Sequence, residues 1–168
     1  MTRSSAIGIA IALLSAVTST PRAQWPEGNE GSFTGFWTVS GSVHVLERGD
    51  KVVATAGRLT GTVVGNTSQG TIPSFETDCV VFSDTRDKGI ARCTWTGATG
   101  DQIYVDVTSD GPAGFGRARG EFVGGSGRFQ GMTGGFQFEW NYSLGHGSDA
   151  TLEGHTLEMS GRYRLRGR

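Results

Sequence analysis

Apolar and polar residues alternate over long stretches of this chain, most clearly in the last third. From Phe136 to Leu144 every second residue is apolar, and polar side chains separate them. A period of two over nine residues is typical of a half-buried strand and does not fit a helix. Glycines crowd the eleven residues before this strand, which indicates a tight corner leading into it. They are Gly124, Gly125, Gly127, Gly131 and Gly134.

The same alternation predicts about eight strands and no helix after residue 23. Turn signals separate the strands at regular intervals, which is typical of an antiparallel sandwich or barrel. Glycines at the expected bends favour a closed barrel, whose lumen side chains fill or which holds one small ligand. The expected strands are 33–45, 51–56, 59–64, 77–83, 89–96, 101–109, 116–123 and 135–144, with a last one that places Leu157 on its inner face and Thr156 on its outer face.

The apolar faces of these strands are expected to point inward, where they form the core or line a ligand site. If the facing were inverted, Glu139 would point into the lumen near Tyr104. Desolvation would then raise its pKa and make it a candidate general base, with Tyr104 as its companion. The expected lumen residues are Trp37, Phe136, Phe138, Trp140, Tyr142 and Tyr163.

The N-terminal segment has the pattern of a secretory signal. Arg3 precedes an apolar stretch, Ala6–Val17, and small residues follow it. This stretch is too short for a permanent membrane span. We expect cleavage after Ala23, with cleavage after Ser19 as the alternative. The expected organisation is therefore a signal peptide over 1–23, a flexible arm over 24–32 and one barrel domain over 33–168.

Composition and charge narrow the function classes. Glycine supplies 28 of 168 residues without a collagen period, which fits turns and bends. Without residues 1–23 the chain has 13 basic and 16 acidic residues, a net charge of −3. The absence of a basic stripe argues against nucleic acid as a partner. We expect an exported protein, periplasmic or secreted, with no membrane span after signal cleavage and no cofactor.

Two cysteines flank a predicted turn at 84–88. Cys79 and Cys93 are equidistant from Arg86, so a symmetric hairpin places them opposite each other. An oxidising compartment would then favour a disulfide, and two buried free thiols are the alternative. Two cysteines alone do not complete a zinc shell, so no metal site is predicted from them.

The glycine-rich corner and the strand after it carry a family resemblance. The segment Gly124–Gly134, GGSGRFQGMTG, resembles the GG-[ST]-G-[KR]-[FY]-x-G-x-x-G signature of the allene oxide cyclase-like barrel superfamily. That superfamily includes plant dirigent proteins and many bacterial secreted proteins. The resemblance implies an eight-stranded antiparallel barrel with an apolar lumen, often assembled as a homodimer or homotrimer. The matched motif is structural, so it transfers no catalytic residue.

Other candidate chemistry is weaker. The glycine corner lacks the GK-[ST] ending and the following helix of a phosphate loop. His146 and His155 lie close in sequence to Asp149 and Glu153, which leaves a metal site conceivable, although exposed histidines are the simpler interpretation.

Three functions remain open from the sequence. The first is an exported barrel that binds or shelters a small apolar or aromatic molecule. The second is a cyclase or isomerase of the same fold that steers its substrate's conformation. The third is a structural or assembly module of the cell envelope. A buried carboxylate or tyrosine in an open cavity would favour the second, and a filled lumen with a large exposed apolar patch would favour the third.

Overall fold

The computed structural model describes residues 28–84, 89–110 and 115–166, and the segment expected to be a signal peptide lies outside them. Eight strands follow one another along the chain, and a short 3₁₀ turn at Gly127–Phe129 precedes the seventh. The strands are β1 Glu30–Arg48, β2 Lys51–Thr67, β3 Gly70–Asp84, β4 Gly89–Gly97, β5 Gln102–Ser109, β6 Phe115–Gly125, β7 Thr133–Leu144 and β8 Asp149–Arg164.

The strands form a closed antiparallel barrel in sequence order, because β8 pairs with β1. This confirms the all-β class and the closed eight-stranded barrel expected from the alternation. Residues at every second position point into the barrel and are buried. Its core is aromatic, and rings in edge-to-face and tilted contacts run through the middle of the lumen. They belong to Phe33, Trp37, Phe75, Trp95, Phe122, Phe136 and Phe138.

Several strands are longer than their patterns predicted. β2 is continuous from Lys51 to Thr67, where two strands were expected, because Gly57 leaves the space in which Val43 packs. β3 begins at Gly70, seven residues before the expected strand 77–83, and buries Ile72. β1 begins at Glu30, inside the expected arm, where Glu30 pairs with Arg164 (Oε2 to Nε, 3.2 Å).

β8 contains a bulge that reverses part of the expected facing. Gly35 pairs with Met159 and Thr38 with His155, so β8 has one more residue than β1 across this interval. The same residue is extra against β7. Thr156 is consequently fully buried, while Leu157 is 55% exposed. The expectation that Leu157 points inward and Thr156 outward is wrong, because a bulge shifts the period-two pattern by one residue.

Candidate functional site

The glycine-rich corner closes one end of the barrel. The connection from β6 to β7 buries the side chains of Phe129 and Met132 completely. The ring of Phe129 lies 5.6 Å from that of Phe75, between ring centroids, so the connection packs into the core at this end. The other end of the lumen is therefore the one that can admit a ligand.

Polar contacts hold this corner in place. The Ser126 amide donates to the Gln102 carbonyl at 2.8 Å, and the Ser126 hydroxyl accepts from the Gln102 amide at 3.2 Å. Gly127 has a φ of 57°, and a side chain there would collide with Asp101. Asp101 also lies 3.3 Å from Arg128 Nε and accepts from Thr99 Oγ1 at 2.9 Å. The serine and glycines of the motif thus have structural roles, as expected for a corner.

A cavity of about 150 Å³ occupies the opposite end of the lumen. Its walls are mostly apolar and come from all eight strands. An engineered cavity of similar size in an unrelated protein stays dry and binds benzene, whereas drug-sized ligands occupy roughly 300–1,000 Å³. The size therefore matches a single aromatic ring. The apolar wall includes Trp37, Val39, Leu59, Val107, Ala118, Phe138, Trp140 and Leu152.

Two tryptophans define the floor and one side of this cavity. Trp37 is held by its backbone amide, which donates to Thr156 Oγ1 at 2.9 Å, and by its ring Nε1, which donates to Thr77 Oγ1 at 3.1 Å. Trp140 crosses Trp37 edge to face, with ring centroids 6.0 Å apart. The ring of Trp140 takes the space that a side chain at Gly154 would need. The aromatic wall is thus fixed before any ligand arrives.

Polar groups ring the mouth of the cavity. Thr55, Ser83, Ser109 and Asp110 contribute to its lining together with the half-buried Tyr142. The hydroxyl of Tyr142, like that of any tyrosine, is neutral at pH 7 and can donate a hydrogen bond, and burial raises its pKa further. An apolar chamber with a few polar groups at its entrance is the usual form of a small-molecule site.

The structure separates the six expected lumen residues into two groups. Trp37, Phe138, Trp140 and Tyr142 line the cavity. Phe136 and Tyr163 lie outside its lining and are packed in the core, where the ring of Phe136 makes tilted contacts with Phe33, Phe122 and Trp95. Alternation identifies which residues face inward. It does not identify the open end of the barrel, because that depends on which end the glycine-rich corner fills.

The two candidate catalytic residues lie on the outer wall. Glu139 is 3.8 Å from Arg117 (Oε1 to Nε) and largely exposed, and Tyr104 is 39% exposed. The inverted facing that would have brought Glu139 into the lumen does not occur. We therefore assign neither residue to chemistry in the cavity.

Sequence reasoning missed most of the cavity's lining. Leu59, Val107 and Leu152 are isolated aliphatic residues in strands whose patterns resemble any other barrel strand. Ser83 and Ser109 are the last residues of the predicted strands 77–83 and 101–109, and Asp110 follows directly, but the pattern does not indicate that these ends meet. To predict that these residues share one rim, the lengths of the strands and their tilt in the barrel must be known, and the alternation indicates neither.

The predicted disulfide is present between Cys79 and Cys93, which are directly opposed on β3 and β4. Their Cα atoms are 4.1 Å apart, and both side chains are buried. Cys79 contributes to the cavity wall, so the bridge fixes the spacing of two strands that enclose the site.

Charged and metal-binding features are sparse. His44 pairs with Asp149 on the exposed surface (Nδ1 to Oδ1, 2.5 Å), and His155 lies on the outer wall. Within residues 28–84, 89–110 and 115–166, no group of three histidine, cysteine or acidic side chains could hold a metal ion. In the same ranges no helix has the length and apolar character needed to cross a membrane.

Two dirigent proteins are among the solved structures that are similar to this chain. Neither protein-family models nor curated proteins match the sequence. The pterocarpan synthase dirigent protein GePTS1 is similar at 13% identity and a TM-score of 0.41, covering 86% of this chain and 91% of its own. The pterocarpan synthase dirigent protein PsPTS1 is similar at 12% identity and a TM-score of 0.36. This match covers 80% of this chain and 97% of PsPTS1. The assignment of a barrel rests on the strand pairing described above.

Proposed function

We propose that this protein binds a small aromatic or apolar molecule, about the size of one ring, in the open end of its barrel. The observation that carries the proposal is the cavity of about 150 Å³, walled by Trp37, Phe138 and Trp140. Burying a ring there removes apolar surface from water, which favours binding at about 25 cal/mol per Å². Tyr142 and the rim serines can orient a hydroxyl or carbonyl group on the ligand.

The size of the cavity favours this function over a structural module with a filled lumen. A barrel that served only as a scaffold would gain stability by filling this space, because voids cost packing contacts. Here the glycine corner fills one end with Phe129 and Met132, while the other end keeps its volume. Steering of a substrate's conformation remains the second candidate, favoured by the neutral Tyr142 hydroxyl at the rim.

Calorimetric titration with toluene, phenol and indole tests the proposal. We expect at least one of them to bind with a dissociation constant of about a millimolar or tighter. Val107→Phe places a ring in the cavity and should weaken binding at least tenfold. Val80→Phe adds the same ring on the outer wall, where Val80 is 66% exposed, and should leave binding unchanged. Equal affinity in Val107→Phe would refute binding in the cavity.

We also infer that the protein is exported. The N-terminal signal pattern and the buried disulfide support this, since disulfides persist in oxidising compartments. Expression of the full chain in a bacterial host, followed by fractionation and intact mass, tests the inference. A periplasmic product that begins near residue 24 is expected, and a full-length cytoplasmic product would contradict it.

A further inference from the structure

A second concave surface lies on the outside of the barrel, across four neighbouring strands. It has a volume of about 670 Å³, and Val39 and Tyr142 line both this surface and the lumen cavity. We call it the outer groove. Two rows of outward-facing polar residues run across this part of the barrel wall. The register of the strands places them side by side on β2, β1, β8 and β7. The rows are Thr62, Thr38, His155 and Asn141, and Thr60, Ser40, Glu153 and Ser143.

An exposed aromatic ring borders these rows. Phe36 is 40% exposed on the outer face of β1, although phenylalanines elsewhere in the described barrel are mostly buried. Its ring lies 6.0 Å from that of His155, between centroids, at an interplanar angle of 32°. Val64 is directly opposite Phe36 on β2 and is also exposed. Phe36 thus gives the groove an exposed apolar ring, and Val64 extends this apolar surface beyond the lining.

The bulge in β8 places His155 beside the ring of Phe36. It lies between His155 and Met159, where it breaks the pairing of β8 with both neighbours. Bulges re-aim side chains and are common beside functional sites. Here the bulge brings His155 against the Phe36 ring, while the buried Thr156 ties the strand to the amide of Trp37.

The charges in the groove indicate the ligand's chemistry. Glu153 is its acidic residue, and it forms no ion pair with any residue that the structure describes. Arg58, two residues from Thr60 on β2, is held in a bidentate pair by Asp78. None of the described residues that line the groove is a lysine or an arginine, so this lining does not favour an anionic ligand. Hydroxyl, amide, carboxylate and imidazole groups can instead donate to and accept from a neutral, hydroxyl-rich ligand.

We propose that the outer groove binds a neutral carbohydrate. A sugar ring combines an apolar face of C–H groups with a rim of hydroxyls, which matches a flat aromatic ring beside rows of polar side chains. Four strands span about 14 Å, which gives room for a short oligosaccharide. The Phe36 ring packs against the apolar face of one sugar, while Asn141, Glu153 and His155 bond to hydroxyls.

Affinity electrophoresis through gels that contain neutral polysaccharides tests this site. The probes are a β-glucan, a galactan and a mannan, with polygalacturonate as the anionic comparison. We expect at least one neutral polymer to retard the protein. Phe36→Ala should weaken the interaction about tenfold, and Glu153→Gln should also weaken it. Val80→Ala, which removes another exposed apolar side chain outside the groove, should not.

Three results would overturn the proposal. The first is the absence of retardation by every neutral polymer, and the second is retardation that Phe36→Ala leaves unchanged. The third is a change in oligomeric state as the sole effect of Phe36→Ala in light scattering, which would make the groove a contact between copies of this chain. Urea unfolding of each variant verifies its fold.

Discussion

The hydroxyl of Thr156 accepts a hydrogen bond from the backbone amide of Trp37, with 2.9 Å between nitrogen and oxygen. The bulge in β8 displaces the backbone that would pair with this amide, and a fully buried side chain replaces it. A buried amide without an acceptor costs about 1–3 kcal/mol. This contact therefore stabilises the barrel at the bulge. It also fixes the backbone of Trp37, which lines the cavity.

Replacing Thr156 with valine should destabilise the protein by about 1–3 kcal/mol in urea unfolding, because valine keeps the shape and removes the acceptor. Thr156→Ser keeps the hydroxyl and should recover most of the loss. Thr151→Val changes an exposed position on the same strand and serves as the control. Equal stability of Thr156→Val and the parent would show that the amide is satisfied in another way.

The two buried tryptophans that face each other should respond differently to phenylalanine. Trp37 donates from its ring nitrogen to Thr77, whereas Trp95 Nε1 has no acceptor among the described residues. Both substitutions remove similar apolar area, but only Trp37→Phe breaks a hydrogen bond. We expect Trp37→Phe to cost about 1 kcal/mol more than Trp95→Phe in the free energy of unfolding. The reverse order would contradict the hydrogen-bond assignment.

The Cys79–Cys93 disulfide should contribute about 3 kcal/mol, since it closes a loop of about 15 residues in the unfolded chain. Reduction should add about 2 Da to the intact mass and lower the urea midpoint. The double variant Cys79→Ala, Cys93→Ala should reproduce that lower stability and become insensitive to reductant. An unchanged mass on reduction would show that the bridge does not form in the purified protein.

Tyr142 should titrate later than an exposed tyrosine. Burial raises its pKa in the folded protein above that of the unfolded chain, near 10. Its contribution to stability is therefore fully present below pH 10 and is lost as pH rises through the folded pKa. In a titration with rising pH, absorbance of the tyrosinate at about 295 nm should show one phase above the pH at which exposed tyrosines ionise. Tyr142→Phe should remove that phase. Loss of an early phase in that variant would contradict the assigned direction.

The alternation of Phe136, Phe138 and Trp140 was sufficient to predict an inward strand, and the equal spacing of Cys79 and Cys93 from Arg86 predicted their contact. The facing of Leu157 could not be predicted, because one extra residue in β8 reverses a period-two pattern without a local signal. The cavity also could not be predicted from the sequence. Whether Phe136 is core and Trp140 is cavity wall depends on which end Phe129 and Met132 fill.

A crystal structure of the protein soaked with phenol tests the central claim most directly. We predict electron density for one ring between Phe138, Trp140 and Leu152, with its hydroxyl directed toward the polar mouth near Tyr142. An open end filled by ordered water or by rearranged side chains, with phenol bound elsewhere or nowhere, would contradict the assignment of the lumen as a ligand site.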